Sequence, residues 1–161
     1  VRERRGQIQA QQVVAAIDIS ATLQRARDAT QAGRLLMPPG ESAYDLYRAV
    51  LAQAPGNAEA RGGLAGLPDR AMQRFEDAMA GNRLGAARDA LEAMSVIAPS
   101  DARLVPARRR LARSYLAYAS ERIGAGEIEL ATRAFDQARE LDPGNTDLPA
   151  IQARLEQARG G

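Results

Sequence analysis

The sequence predicts an all-α fold of stacked helical hairpins, and three observations carry that prediction. Alanine supplies 34 of the 161 residues, whereas Val, Ile and Thr together supply 17. Ala loses no side-chain entropy in a helix and β-branched residues are the usual strand formers, so this balance favours helix. Pro55, Pro99 and Pro143 stand 44 residues apart, and each ends the same kind of segment. Ala43-Tyr47-Val50, Ala87-Leu91-Met94 and Ala131-Phe135-Ala138 precede them with identical spacings of four, three and five to the proline. After them, Gly56-Asn57, Ser100-Asp101 and Gly144-Asn145 lead to Leu67, Leu111 and Leu155 in register.

Taken in order, the chain is expected to form one domain over 1–161 with units of about 8–55, 57–99 and 101–143 and a closing helix over 146–158. Residues 8–32 should form the first long helix, with Val13, Ala16, Leu23 and Ala26 facing inwards. The turns after the long helices are Gly33-Arg34-Leu35, Asn82-Arg83-Leu84 and Gly124-Ala125-Gly126-Glu127-Ile128. Gly or Asn there can take the left-handed conformation that closes a helix. The first hairpin carries five extra residues, Leu36-Met37-Pro38-Pro39-Gly40, read as a stiff surface loop.

The short helix of each unit places a small residue, a large apolar one and a further apolar one on a single stripe. Proline stops it, because the residue before proline is pushed out of the α region. Asn57, Asp101 and Asn145 or Thr146 suit the cap of the next helix. In the third unit Leu104, Leu111, Tyr115, Tyr118 and Arg122 form one stripe, and Val105, Ala112, Leu116, Ala119 and Ile123 the adjacent one. Two such stripes mean a helix packed on both sides, as the interior of a stacked array requires. Met72, Phe75 and Met79 take the places of Leu116, Ala119 and Ile123 one unit earlier, where Pro68 should kink or break the helix. Pro106 lies nearer its helix start and should do less harm. Leu148, Ile151 and Leu155 make the apolar stripe of the closing helix.

All 22 basic residues are Arg and the net charge is +2, too small to predict nucleic-acid binding by itself. The absence of Cys and His excludes disulfides, thiolate or imidazole metal sites and Ser-His triads. Acids such as Glu76, Asp77, Asp89 and Glu121 sit beside Arg at helical spacings and read as ordinary surface pairs, and Gly62-Gly63 belongs to no phosphate loop. No enzyme and no cofactor are expected. The longest apolar run is five residues, Val13 to Ile17, so no membrane insertion is expected within this segment. The opening Val-Arg-Glu-Arg-Arg reads as a cut within a longer protein.

These residues resemble the tetratricopeptide repeat (TPR). The closest stretch is Gly126-Glu127-Ile128-Glu129-Leu130-Ala131, continuing through Phe135, Ala138 and Leu141 to Asp142-Pro143-Gly144-Asn145. The likeness covers roughly residues 20 to 160, with the 44-residue period exceeding that family's usual 34. The extra length falls in the first helix of each hairpin. Gly33-Arg34-Leu35 through Gly40-Glu41-Ser42-Ala43 and Tyr47-Arg48-Ala49-Val50-Leu51 also resemble TPR-like segments of bacterial cell-envelope proteins. Similar segments follow the membrane helix in some bacterial receptor-type serine/threonine kinases.

The resemblance implies a right-handed solenoid of three antiparallel hairpins that binds a protein or peptide. It also implies a scaffold region of a larger bacterial protein, with a membrane anchor and the periplasmic face favoured while the cytoplasmic side stays open. The carboxylate clamp of one TPR subgroup uses Lys and Asn; this chain has no Lys. Homo-oligomerisation through the N-terminal helix is the alternative, and nucleic-acid binding through Arg faces a less favoured one. Candidate partner-binding residues are Arg70, Arg74, Arg109, Arg113, Tyr115, Tyr118 and Arg122. Guanidinium forks recognise oxyanions bidentately and exposed aromatics mark interfaces. The plain alternatives, a solvated face for the Arg108-Arg109-Arg110 run and core for the Tyr stripe, stay open at this level.

Overall fold

The computed structural model describes residues 16–160. Among the described residues there are seven helices and no strand, so the all-α expectation holds. The helices are α1 (Ile19–Gln31), α2 (Ala43–Gln53), α3 (Ala58–Ala80), α4 (Leu84–Ile97), α5 (Leu104–Gly124), α6 (Ile128–Leu141) and α7 (Leu148–Gly160). None of them is long and apolar enough to cross a membrane. The chain divides into two compact units, Val1–Leu64 and Ala65–Gly161, and α3 begins in the first and ends in the second.

In the first unit α1 starts at Ile19, later than residue 8, because Asp18 caps it. Its carboxylate accepts the Ala21 N–H at 3.0 Å. Ala16, expected to face inwards, is exposed ahead of the helix, and Val13 lies outside the described residues. Thr22, Leu23, Ala26 and Ala29 are buried on α1, which packs against α2 and its buried Ala43, Leu46, Tyr47 and Val50. The five-residue insertion is braced at its end by the α2 cap. Ser42 Oγ accepts the Asp45 N–H at 3.1 Å, while the Asp45 carboxylate accepts Ser42 Oγ–H at 2.9 Å and the Gly40 N–H at 2.8 Å. At the start of α3, Asn57 Oδ1 accepts the Ala60 N–H at 2.8 Å. The helix then brings Gly63 against the Tyr47 ring.

In the second unit α5 packs against α4, α6 and α7, which agrees with its broad apolar arc. Leu104, Ala107, Leu111, Ala112, Tyr115, Leu116 and Ala119 are its buried residues. Val105, expected on the inner stripe, is instead 52% exposed. Leu104 and Ala107 in the same turn are buried, so the side of α5 on which Val105 projects, not its depth along the helix, leaves it in solvent. The second Asx residues also act differently from Asn57. Asp101 and Asn145 each accept an N–H two residues on, from Arg103 and Asp147 at 2.9 Å, and so form a turn before the helix. Two extra residues thereby separate each Asx side chain from the first residue of α5 and α7.

The marked core positions related by 44 residues share their burial. Ala43, Ala87 and Ala131 are buried completely, as are Val50, Met94 and Ala138, while Leu67, Leu111 and Leu155 are at most 2% exposed. The backbone repeats as well. Gly33, Asn82 and Gly126 all take positive φ, at 73°, 53° and 76°. Around each, two hydrogen bonds close the preceding helix. The N–H groups of Arg34, Arg83 and Glu127 donate to the carbonyls of Ala29, Ala78 and Arg122 at 2.8 Å, and the N–H groups of Gly33, Asn82 and Gly126 donate to Thr30, Met79 and Ile123 at 3.1 Å. This six-to-one plus five-to-two pattern is the Schellman closure. Ala54, Ala98 and Asp142, each before a proline, leave the α region with φ between −131° and −146°, as expected.

The left-handed φ at Gly126 makes a direct prediction. Gly126→Ala should cost about 1–2 kcal/mol in a urea melt, the price of Cβ in that region. Asn82→Gly should be neutral or slightly stabilising, since Asn bears some of that strain already. A neutral Gly126→Ala would show that the turn rearranges freely.

Pro68 does not break its helix. α3 runs unbroken for 23 residues through it. Proline removes one helical donor and crowds the carbonyl four residues earlier, at a cost of about 3 kcal/mol or more. The turns on both sides remain anchored by buried Ala60, Leu67, Ala71 and Phe75, whose packing outweighs that local loss.

Candidate functional site

Within the second unit the long helices α3 and α5 are joined at their outer rims by residues 34 apart. Asp69 accepts from Arg103 at 2.7 Å, and Glu76 accepts from Arg110 at 2.7 and 2.8 Å. Each helix contributes two residues seven apart, two whole turns, so the pairs lie one above the other. Between them is a shallow groove of about 420 Å³ lined by Met72, Phe75, Glu76, Arg103, Pro106 and Arg110, with Ala102 and Ala107. Phe75 is fully buried beneath it, and the Arg110 guanidinium lies 5.6 Å from its ring centroid. The groove therefore offers an apolar floor and charged walls, which suits an apolar side chain on a chain with polar neighbours.

Arg103 also binds Asp101 at 2.8 Å, and that contact holds the Asp101 carboxyl down at about 2 against its ordinary 3.8. The dominant cause is the guanidinium hydrogen bond, reinforced by the Arg103 backbone N–H. A lowered folded-state value stabilises the fold above the unfolded value, and that contribution fades as pH falls through about 2. The stability difference between the protein and Asp101→Asn should thus be constant above pH of about 5 and shrink below it. Paired urea melts across acidic pH would check this; a pH-independent difference would mean that Arg103 does not favour the ionised carboxylate.

The candidate residues named from sequence fall into separate groups. Tyr115 is a core residue, only 8% exposed, and burial pushes its phenol pKa up. Its place on the Leu104/Leu111 stripe puts it under the neighbouring helices, so it is removed from the candidate surface. Tyr118 and Arg122 are brought together, with the guanidinium 5.1 Å from the ring centroid. Arg122 also binds Glu127 at 2.7 Å and approaches Glu121 at 3.9 Å. These carboxylates, Glu127 first, raise its pKa above the usual arginine value. Arg122 thus braces the α5–α6 turn. Arg70 and Arg74 are exposed on α3 and occupy the positions of Ser114 and Tyr118 in the next repeat. Arg109 and Arg113, four apart on α5, are exposed. Neither makes an ion pair among the described residues.

The groove between α3 and α5 was not among the sequence candidates. Its signal was present in Arg110, the last of the Arg108-Arg109-Arg110 run, and in Glu76 and Asp69, each 34 residues before its partner. No family model, curated protein or solved structure matches this chain.

Proposed function

We propose that this chain is a non-catalytic binding module of TPR-like type, a right-handed helical solenoid serving as a scaffold within a larger bacterial protein. Its ligand is an extended peptide segment of a partner protein laid across the outer face of the long helices. The observation that carries this reading is a constant interior beneath a changing exterior. Positions 43, 47, 50 and 67 stay apolar and buried at each 44-residue step. Asp69 and Glu76 on the outer rim of α3, by contrast, become Arg113 and Ser120 on α5. A repeated frame that keeps its interior apolar while its outward side chains change charge presents an individually coded surface. The Met72/Phe75/Pro106 groove would take an apolar side chain of the peptide.

Selection of a displayed random 16-residue peptide library on the immobilised chain tests this. Enrichment of a peptide class is expected, with affinity reduced at least tenfold by Pro106→Glu. That change puts a carboxylate into the groove at an exposed helix-start position and should leave the circular dichroism unchanged. No enrichment over bare support would refute the reading.

A further inference from the structure

Resting on that reading, we infer that the peptide recognised is acidic, and that Arg109, Arg113 and Arg154 along the α5–α7 seam select its carboxylates. The seam repeats the α3–α5 geometry one step on. Arg113 and Ser120 stand where α3 has Asp69 and Glu76, and Asp147 and Arg154 stand where α5 has Arg103 and Arg110. α7 packs against α5, and Arg154 reaches Ser120 Oγ at 2.6 Å, the counterpart of the Arg110–Glu76 bridge.

The two seams differ in charge balance. Across α3–α5 each rim arginine has a carboxylate partner on the facing helix. Across α5–α7, Arg154 meets a neutral hydroxyl, and Arg109 and Arg113 make no ion pair among the described residues. Asp147 is the single carboxylate at these four rim positions. Arg109, Arg113 and Ser120 follow spacings of four and seven, so they form one row along α5, with the Arg154 guanidinium joined at its far end. Three guanidiniums facing one carboxylate, on a rigid row, favour an oxyanion-bearing chain with several acceptors, because guanidinium–carboxylate bonds are charge-assisted and directional.

An acidic peptide fits better than a nucleic acid. Sequence-tolerant nucleic-acid sites stack bases on exposed aromatic rings. Near this row Phe75 and Tyr115 are buried and Tyr118 is covered by Arg122. Pro106 and Arg113 share the outward side of α5, being seven apart, so one extended peptide can seat an apolar residue in the groove and its acids on the row.

The composition of the selected library peptides reads this directly. Asp and Glu should be enriched beside a large apolar residue, and Arg109→Gln/Arg113→Gln should weaken the best such peptide at least tenfold. Arg133→Gln, an exposed arginine on the short helix α6, should leave it within twofold, and matched thermal melts show all variants folded. Binders that lack acids, or that keep their affinity in the double variant while losing it in Pro106→Glu, would overturn this inference and leave the binding function standing. A fluorescein-labelled 20-nucleotide single strand provides the opposing arm. Capture of that strand in preference to acidic peptides would overturn the inference in favour of nucleic acid, whereas preference for the peptides supports it.

Discussion

Leu111→Ala is expected to lower the unfolding free energy by about 2–5 kcal/mol in urea or thermal melts. Leu111 is fully buried at the middle of α5, the helix that packs against α4, α6 and α7. Removing its isobutyl group forfeits transfer free energy and leaves a cavity that three surrounding helices cannot close together. Val105→Ala on the same helix provides the contrast. Its side chain is 52% exposed, and such surface changes usually fall within about 0.5 kcal/mol. Equal losses for the two variants would mean that α5 is rotated about its axis relative to the arrangement described above.

The second large effect is expected at Gly63. A Cβ there would lie 2.3, 2.5 and 2.7 Å from three carbons of the Tyr47 ring, which is itself buried. Gly63→Val should therefore cost about 1–3 kcal/mol through overpacking, more than offsetting the roughly 0.3–0.5 kcal/mol that a helix gains when Val replaces a mid-helix glycine. The next repeat suggests the rescue. Forty-four residues on, the pair is Leu91 and Ala107, both buried, with a smaller group opposite a slightly larger one. Tyr47→Leu combined with Gly63→Ala should be more stable than the sum of the single changes by about 0.5–3 kcal/mol, as expected for residues in contact. A Gly63→Val protein that melts at or above the parent temperature would show that the contact is slack.

Of these two residues, only Leu111 could be recognised before any coordinates. Leu111 is marked by its register with Leu67 and Leu155, and the turn residues Gly33, Asn82 and Gly126 by their Gly or Asn chemistry. Local rules sufficed there, because a left-handed turn or a residue before proline depends on a few neighbouring atoms. Tyr115 and Val105 show where such rules stop. Both lie on apolar stripes of one helix, yet the first is buried and the second exposed. At about 100° per residue a stripe drifts around the helix, so a partner's position and the helix's starting point decide which edge is covered. Gly63 is a similar case. In sequence it is one of several glycines before Pro68, and only the approach of Tyr47 makes a larger residue there costly.

The candidate site divides the same way. The sequence carried Arg109 and Arg113 but not their lack of ion partners, and it carried Arg110 and Glu76 without joining them. Pairing across 34 residues requires knowing which long helices are neighbours, and that depends on packing among elements far apart in the chain.

By itself, then, the order of residues determined the helical class, the 44-residue period, the places where helices close and the apolar positions that recur at each step. Those are consequences of backbone sterics and of helical periodicity, which act over one or two turns. Tertiary packing decided that α3 continues through Pro68 and that Tyr115 belongs to the interior. It also decided that one rim of α5 is neutralised by α3 while the other, beside α7, keeps its charge. These outcomes arise because burial and ion pairing are settled by whichever side chains a neighbouring helix brings within a few ångströms.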